Sequence, residues 1–89
     1  MSIKLYDVSF QGYATPSFIQ TGANSVTFTN LGTATAYIDQ QVPLLQNQSF
    51  SIDGNECEIT NHVFQVTFDT SVSGATNNLL VILKTYLNV

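Results

Sequence analysis

Charge is what this sequence has least of. Only 9% of its 89 residues are charged, against about a quarter in an ordinary globular domain. Arginine is absent, and Lys4 and Lys84 are the only basic residues. A chain without clustered basic residues has no electrostatic footprint for phosphates or for an anionic membrane surface. We therefore expect no nucleic-acid partner.

Tryptophan, long apolar runs and a second cysteine are also missing. The longest apolar run, 79–83, is far shorter than the segment needed to cross a bilayer, so we expect no membrane span. A single cysteine cannot form an intramolecular disulfide, which is typical of folding in a reducing cytoplasm. The N-terminal residues contain no apolar segment followed by a cleavage site, so we expect synthesis in the cytoplasm without a signal peptide.

Uncharged polar residues take the place of the missing charge. Serine, threonine, asparagine and glutamine make up 34 of the 89 residues, and the net charge is −4. Such a surface is typical of proteins that work outside cells. A virion component satisfies both this surface and cytoplasmic synthesis, because cell lysis releases it. A mature secreted chain that has lost its signal would satisfy them too.

Period-two alternation of apolar and polar residues predicts short strands, separated by turn signals every 8–12 residues. No segment has a convincing helical period. We expect one domain over residues 1–89, an all-β fold of seven or eight short strands forming a small antiparallel sandwich or barrel. The expected inward-facing residues are Val26, Phe28, Ala34, Ala36, Ile38, Phe50, Ile52, His62, Phe64, Val66, Phe68, Leu79, Val81, Leu83 and Leu87.

Two segments carry stronger expectations about position. Pro43 cannot donate a ladder hydrogen bond, so the short strand that contains it is expected at an edge or a bend. The clearest strand pattern covers Glu58 to Asp69. Asp53-Gly54-Asn55 in front of it predicts a tight turn into that strand, with glycine and asparagine at positions of positive φ.

Half of the acidic residues, Asp53, Glu56 and Glu58, lie within this turn region around Cys57. Asp53, Asn55 and Glu56 are a weak calcium candidate, because calcium needs six to eight oxygen ligands and these residues supply too few. A soft-metal site would need further cysteines or histidines. The favoured interpretation is structural, with the glutamates outside and Cys57 facing the core. We expect no cofactor.

Catalysis receives little support. A cysteine nucleophile needs a nearby base, and His62 is the only histidine. An odd separation in one continuous strand would put Cys57 and His62 on opposite faces. Glu56 and Glu58 could form a carboxylate pair, but nothing else indicates a cleft. We therefore predict that the protein is not an enzyme.

Two tyrosines are weak candidates for a carbohydrate platform. Tyr13 lies in an expected loop and Tyr37 on the polar face of its expected strand. Tyrosine also suits half-exposed surfaces, so packing roles are favoured for both. Carbohydrate binding or adhesion stays open as an alternative function.

Self-association has the most support. Leu80 and Ile82 make the last strand apolar on both faces, and Val42, Leu44 and Leu45 form a second apolar cluster. Both groups could simply be core, but together they exceed what a thin sandwich covers. Exposed apolar patches usually mark subunit contacts. These five residues are the interface candidates.

The central part of the chain resembles small β-structured virion proteins of bacteriophages. The likeness rests on V-T-F-T-N-L-G-T-A-T-A-Y-I-D, on V-P-L-L-Q-N-Q-S-F-S-I-D-G-N-E-C-E-I and on F-Q-V-T-F, within residues 26–68. Such chains often carry glycine where this one has Asn47. The resemblance implies a non-enzymatic structural subunit that assembles in many copies, with a jelly-roll-like sandwich.

Together, these observations lead us to expect a structural subunit of a phage virion, such as a minor capsid, decoration or spike-base protein. Its partners would be further copies of itself and other virion proteins. An extracellular filament subunit that exchanges an edge strand is a further alternative.

Overall fold

A computed structural model describes residues 5–55 and 57–87 of the chain. The described residues form eight strands. They are β1 (Tyr6–Tyr13), β2 (Ser17–Gln20), β3 (Ser25–Asn30), β4 (Ala36–Ile38), β5 (Val42–Leu44), β6 (Ser49–Ile52), β7 (Val63–Phe68) and β8 (Leu79–Tyr86). This part of the chain includes no helix of the length and apolarity needed to cross a membrane.

The strands pair as a nested set. β1 pairs with β8, β2 with β7, β3 with β6 and β4 with β5, all antiparallel. Two further pairings, of β3 with β8 and of β4 with β7, complete two four-stranded sheets. Sheet A has the order β1-β8-β3-β6, and sheet B has the order β2-β7-β4-β5. This is the strand order of a jelly roll, so the expected fold class is confirmed.

The core lies between the two sheets and follows the period of two. Alternate residues of β3, β7 and β8 point inward, so that each of these strands has one buried and one more exposed face. Burying each Val, Leu, Ile or Phe side chain contributes roughly 1.5–3 kcal/mol. Most of the expected inward residues are buried: Val26, Phe28, Ala34, Ala36, Ile38, Phe64, Val66, Phe68, Leu79, Val81 and Leu83.

The remaining expected core residues are less covered. Phe50 and Ile52 are half-buried and pack against the core from the edge strand β6. His62 and Leu87 are exposed, because each lies just beyond the end of its strand. The expectation that Leu87 points inward is wrong, whereas His62 has the rim position expected of a histidine that opens an inward strand face, with its ring edge to face with Phe64.

Edge strands and turns agree with local chemistry. β5, which contains Pro43, is an edge strand of sheet B, as expected. Asn47 has a φ of 67°, a left-handed conformation that favours glycine and that asparagine tolerates.

The segment 53–62 is not a tight turn. β6 belongs to sheet A and β7 to sheet B, so the residues between them cross from one sheet to the other. β7 begins at Val63, and Glu58 to His62 are not strand. Gly54 does not have positive φ either. Its Cα lies against the backbone of Asn24, whose oxygen a Cβ at this position would overlap.

Candidate functional site

An apolar strip on the outer face of sheet A is the main candidate site. The inward positions of β8 are Leu79, Val81 and Leu83, so Leu80 and Ile82 point away from the core. The pairing of β1 with β8 puts Phe10 beside Ile82 on that same outer face. Val8 lies two residues further along β1. We call Val8, Phe10, Leu80 and Ile82 the outer strip.

The side chains of β1 make the strip prominent. Phe10 is 65% exposed and Val8 is 39% exposed, whereas Leu80 and Ile82 are half-buried. The other face of β1 carries Asp7, Ser9 and Gln11, which are polar and exposed. The apolar residues of β1 thus face out of the sandwich and its polar residues face in, the reverse of an ordinary sandwich strand.

The other half of the same outer face is polar and uncharged. Cross-strand hydroxyl pairs join β3 to β6: Thr27 with Ser51 at 3.0 Å, and Thr29 with Ser49 at 2.9 Å. The outer face of sheet A therefore divides lengthwise into an apolar half on β1 and β8 and a hydroxyl half on β3 and β6. It is a surface on which association would bury few charges.

Lys84, the one lysine among the described residues, lies at one end of the outer strip. The Lys84 ammonium is 4.5 Å from the ring centroid of Tyr6 and 5.0 Å from that of Tyr86. The two rings meet edge to face. Cation–π attraction holds the lysine against these rings. The lysine is thus drawn away from the apolar surface next to it, and Asp53 is the acidic residue that borders this surface.

The five interface candidates predicted from the sequence lie in different parts of the structure and do not form one surface. Leu80 and Ile82 belong to the outer strip. Leu44 is buried in the core, and Leu45 is 56% exposed beyond the end of β5. Val42 is half-buried and packs against the core from β5. Sequence reasoning missed Val8 and Phe10, although the alternation of apolar and polar residues over 6–11 contains the signal.

A pocket of about 400 Å³ opens between β5 and β6, where these edge strands of the two sheets face each other. We call it the open-side pocket. Its wall is apolar and consists of Ile38, Val42, Phe50, Ile52 and Phe64. Polar groups lie around it, from Asp39, Gln41, Thr60 and His62. No pattern of residues in the sequence indicates this cavity, because its size depends on how far sheet B covers β6.

A histidine–aspartate pair borders the pocket. His62 Nε2 lies 2.6 Å from Asp39 Oδ2, and Asp39 Oδ1 accepts the Gln65 N–H at 2.8 Å. The Gln65 hydrogen bond and then the contact with His62 hold the pKa of Asp39 below its usual value. Asp39 and Gln40 both have positive φ in the turn from β4 to β5, which aims the carboxylate at β7.

The acidic stretch is organised by an amide, Asn24. Its Nδ2 donates to the backbone oxygens of Asn55 and Glu58, at 3.1 and 2.6 Å. The Glu58 carboxylate in turn accepts the Asn55 N–H at 2.8 Å. Hydrogen bonds donated by the Asn24 amide and by the Asn55 N–H therefore hold this loop in its shape.

The calcium candidate receives no added ligands. Residues 5–55 and 57–87 contain no group of three or more His, Cys, Asp or Glu side chains that could hold a metal ion. Asp53 is exposed, and Asn55 is exposed with its backbone oxygen bonded to Asn24. The third member, Glu56, lies outside the described residues.

Cys57 is exposed, which corrects the expectation that it faces the core. The expectation assumed strand alternation through 57, but the chain there is a connection between sheets. The same finding removes the argument that Cys57 and His62 diverge along one strand. Glu58 is likewise in the connection and not on a strand face.

The two tyrosine candidates do not come together. Tyr13 is half-buried, packs against the core from the end of β1, and donates to Gln11 Oε1 at 2.7 Å. Tyr37 is half-buried on the outer face of sheet B, between Pro43 and Thr67 of the neighbouring strands. One ring packs inward and the other outward, so they cannot form a shared platform.

Comparison of the chain with family models, with curated proteins and with solved structures gives no match.

Proposed function

We propose that this chain is a non-enzymatic structural subunit of a virion that assembles in many copies through the outer face of sheet A. The observation that carries the proposal is the outer strip, four apolar side chains on a face that points away from the core. Contiguous exposed apolar patches mark sites of interaction, and contacts with other protein subunits are one such role. The partner is a second copy of the chain.

The composition of the face favours a contact with itself. Its apolar half and its hydroxyl half lie side by side. Lys84 is the charged residue that its strands point outward, Asp7 of β1 faces the other side, and Asp53 borders the face after β6. A two-fold contact brings the same residues of both copies together, so a face with little charge of either sign meets little self-repulsion.

The jelly-roll topology is compatible with a virion role. It is shared by viral capsid and lectin domains and by cupins, so it supports the proposal without deciding it. The resemblance of residues 26–68 to phage virion proteins points the same way. A polar surface with few charges adds to this support, because it suits particles that persist outside cells.

The alternatives have weaker support. Carbohydrate recognition would need aromatic rings that converge, but Tyr13 packs inward from sheet A and Tyr37 lies on the outer face of sheet B. Strand exchange between filament subunits would need an open edge. On β1 the Val8 N–H already bonds to Asp7 Oδ1 at 2.9 Å, so this donor is not available to pair with an added strand.

The test is light scattering and sedimentation on the purified chain at tens of micromolar. We expect a concentration-dependent oligomer, and we expect Phe10→Ser to raise its dissociation constant at least tenfold, as for other central aromatic contacts. Val72→Ser is the matched control, since Val72 is equally exposed but lies in the 69–78 loop. A chain that stays monomeric and recruits no partner protein contradicts the proposal.

The virion assignment needs a second measurement. On a density gradient of particles from the source, we expect the chain to migrate with the particles in many copies. Migration only with free protein would remove the virion part of the proposal and leave the assembly part to the scattering experiment.

A further inference from the structure

The outer face of sheet A is a modest interface for a structural assembly. The four strands of sheet A have eight, eight, six and four residues. With strands about 4.8 Å apart and residues about 3.3 Å apart, their outer face has a projected area of roughly 400 Å². Stable interfaces start near 600 Å² per partner. A two-fold contact through one face also stops at a dimer. An assembly of many copies therefore needs a second contact of a different kind.

Phe18 is the most exposed large apolar side chain of the described residues, with 74% of its surface accessible. It lies on β2, the edge strand at the opposite end of sheet B from β5. Its neighbour Ile19 points inward and is buried, so Phe18 points outward. Gln65 lies beside it on β7 and Gln20 two residues further along β2, so uncharged amides surround the ring.

We propose that Phe18 of one copy inserts into the open-side pocket of the next copy. The inference rests on the proposed function, because it supplies the second contact that such an assembly requires. The phenylalanine and the pocket are different surfaces of the same chain, so each copy offers one and receives one. A contact of this type generates a ring or an open filament instead of a closed pair.

The dimensions of the two surfaces agree. An enclosed apolar cavity of about 150 Å³ holds a benzene molecule. The open-side pocket, at about 400 Å³, has room for the phenyl ring and for part of the strand that carries it. Phe50 and Ile52, which point inward but are only half-buried, would become covered when the ring enters.

The polar surroundings agree as well. The side-chain amide of Gln65 can donate to acceptors around the pocket, among them the Asp39 carboxylate and the Thr60 hydroxyl, whereas the Gln20 Nε2 already donates to Asn61 Oδ1 at 3.2 Å. No acidic residue is adjacent to Phe18 on β2 or opposite it on β7, so Asp39 meets no like charge from these strands. His62 already faces Asp39 and holds its orientation.

The test uses two defective variants and their mixture. All are made with Phe10→Ser, which disables the outer strip, and are followed by sedimentation velocity. Phe18→Ser removes the inserted ring, and Gln41→Trp covers the pocket from an exposed turn position. Thr60→Phe is a second pocket variant. Val72→Ser is the matched control, because Val72 is an exposed apolar residue of the 69–78 loop and belongs neither to β2 nor to the pocket.

We expect each defective variant alone to associate at least tenfold more weakly than the Phe10→Ser parent, and the control to be unchanged. An equimolar mixture should form a one-to-one dimer that grows no further, since the Phe18→Ser copy still has a pocket and the Gln41→Trp copy still has the ring. This mixture also shows that both variants are folded.

Each of the following outcomes would overturn the inference. Unchanged association of Phe18→Ser, or of both pocket variants, would exclude the contact. Failure of the mixture to dimerise would do the same. Binding of the apolar dye anilinonaphthalene sulfonate in the pocket, with association independent of Phe18, would assign the pocket to a small molecule. If Phe10→Ser alone removes all association, the proposed function stands and this inference fails. A wild-type chain that is monomeric contradicts both.

Discussion

Two asparagines fix the ends of strand β3. Asn24, before the strand, bonds the 53–62 connection through its Nδ2 and accepts the Tyr86 N–H at 2.7 Å. Asn30, at its end, is fully buried, and its Nδ2 donates to the Ala34 and Leu44 oxygens, both at 2.8 Å. A side-chain amide has donors and an acceptor, so each can serve several backbone groups of a connection that lacks ladder bonds.

We expect Asn30→Ala to lower the free energy of unfolding by about 2–4 kcal/mol, because it removes the donor to two backbone oxygens and the acceptor of the Gly32 N–H. The measurement is urea denaturation followed by tyrosine fluorescence. Asn78→Ala is the control, as Asn78 is exposed in a loop. A loss below about 0.5 kcal/mol, typical of surface changes, would contradict the assigned role.

Asp39 predicts a pH dependence with a defined sign. Its pKa is lowered by the Gln65 N–H and by His62, so the folded state favours the carboxylate. The stabilisation is complete above the unfolded pKa of about 3.9 and is lost as the pH falls through the lower, folded pKa. Asp39→Asn should therefore have a lower melting temperature than the unmodified chain at pH 7. In acid, where Asp39 is protonated, the two melting temperatures should be equal.

The magnitude should be small, under about 1 kcal/mol, because the carboxylate is about a third exposed and water and salt screen it. Asparagine tolerates the positive φ of this position, so the substitution tests the charge and not the turn. Melting curves at pH 7 and pH 2.5 make the comparison. An equal deficit at both values would show that the charge contributes nothing.

Connections between sheets are the main elements that sequence reasoning misjudged. Asp53-Gly54-Asn55 is a turn signal, and such residues describe only the local backbone. Whether the next strand returns beside β6 or crosses to the other sheet depends on which distant strands it can pair with. β7 pairs with β2 and β4, so the connection crosses, and both Cys57 and Glu58 lie outside any strand.

The crossing brings Gly54 against Asn24, and this contact is testable. We expect Gly54→Ala to destabilise the fold by more than about 1 kcal/mol, because the added methyl would overlap the Asn24 backbone oxygen. Gly12→Ala is a matched control on β1, where an added Cβ meets nothing within 4 Å. Thermal unfolding of both variants gives the comparison. Equal stability of the two would mean that the connection relaxes freely.

At the scale of the whole molecule, the nested pairing places β1 at the edge of sheet A. Tyr6 lies opposite Tyr86, so the two ends of the described chain meet in one ladder. β1 pairs with β8 only. The apolar residues of β1, Val8 and Phe10, therefore lie on the outer face of sheet A and not in the core. This position explains why an apolar alternation near the start of the chain leads to exposed side chains.

An assembly that buries apolar and hydroxyl groups should respond weakly to salt. The chain has a net charge of −4 and two lysines, so few ion pairs are available for an interface. We expect the dissociation constant to stay level or to fall between 50 and 500 mM sodium chloride, since screening removes only weak repulsion. Sedimentation equilibrium across this range is the measurement. A tenfold rise would indicate that charge pairs hold the oligomer.

The sequence by itself determined the fold class, the edge position of Pro43 and most of the core. Alternation decides these features, because a period of two puts every second residue on one side of a strand wherever the strand lies. It also identified Leu80 and Ile82 as outward-facing apolar residues.

Only the tertiary structure decided which strands are neighbours. That arrangement joined Val8 and Phe10 to Leu80 and Ile82 and left the pocket open beside β6. It also brought Asp39 to His62, 23 residues away in the chain. Cys57 became exposed for the same reason. Pairing between distant strands depends on the fit of the whole core, and no local pattern of residues encodes it.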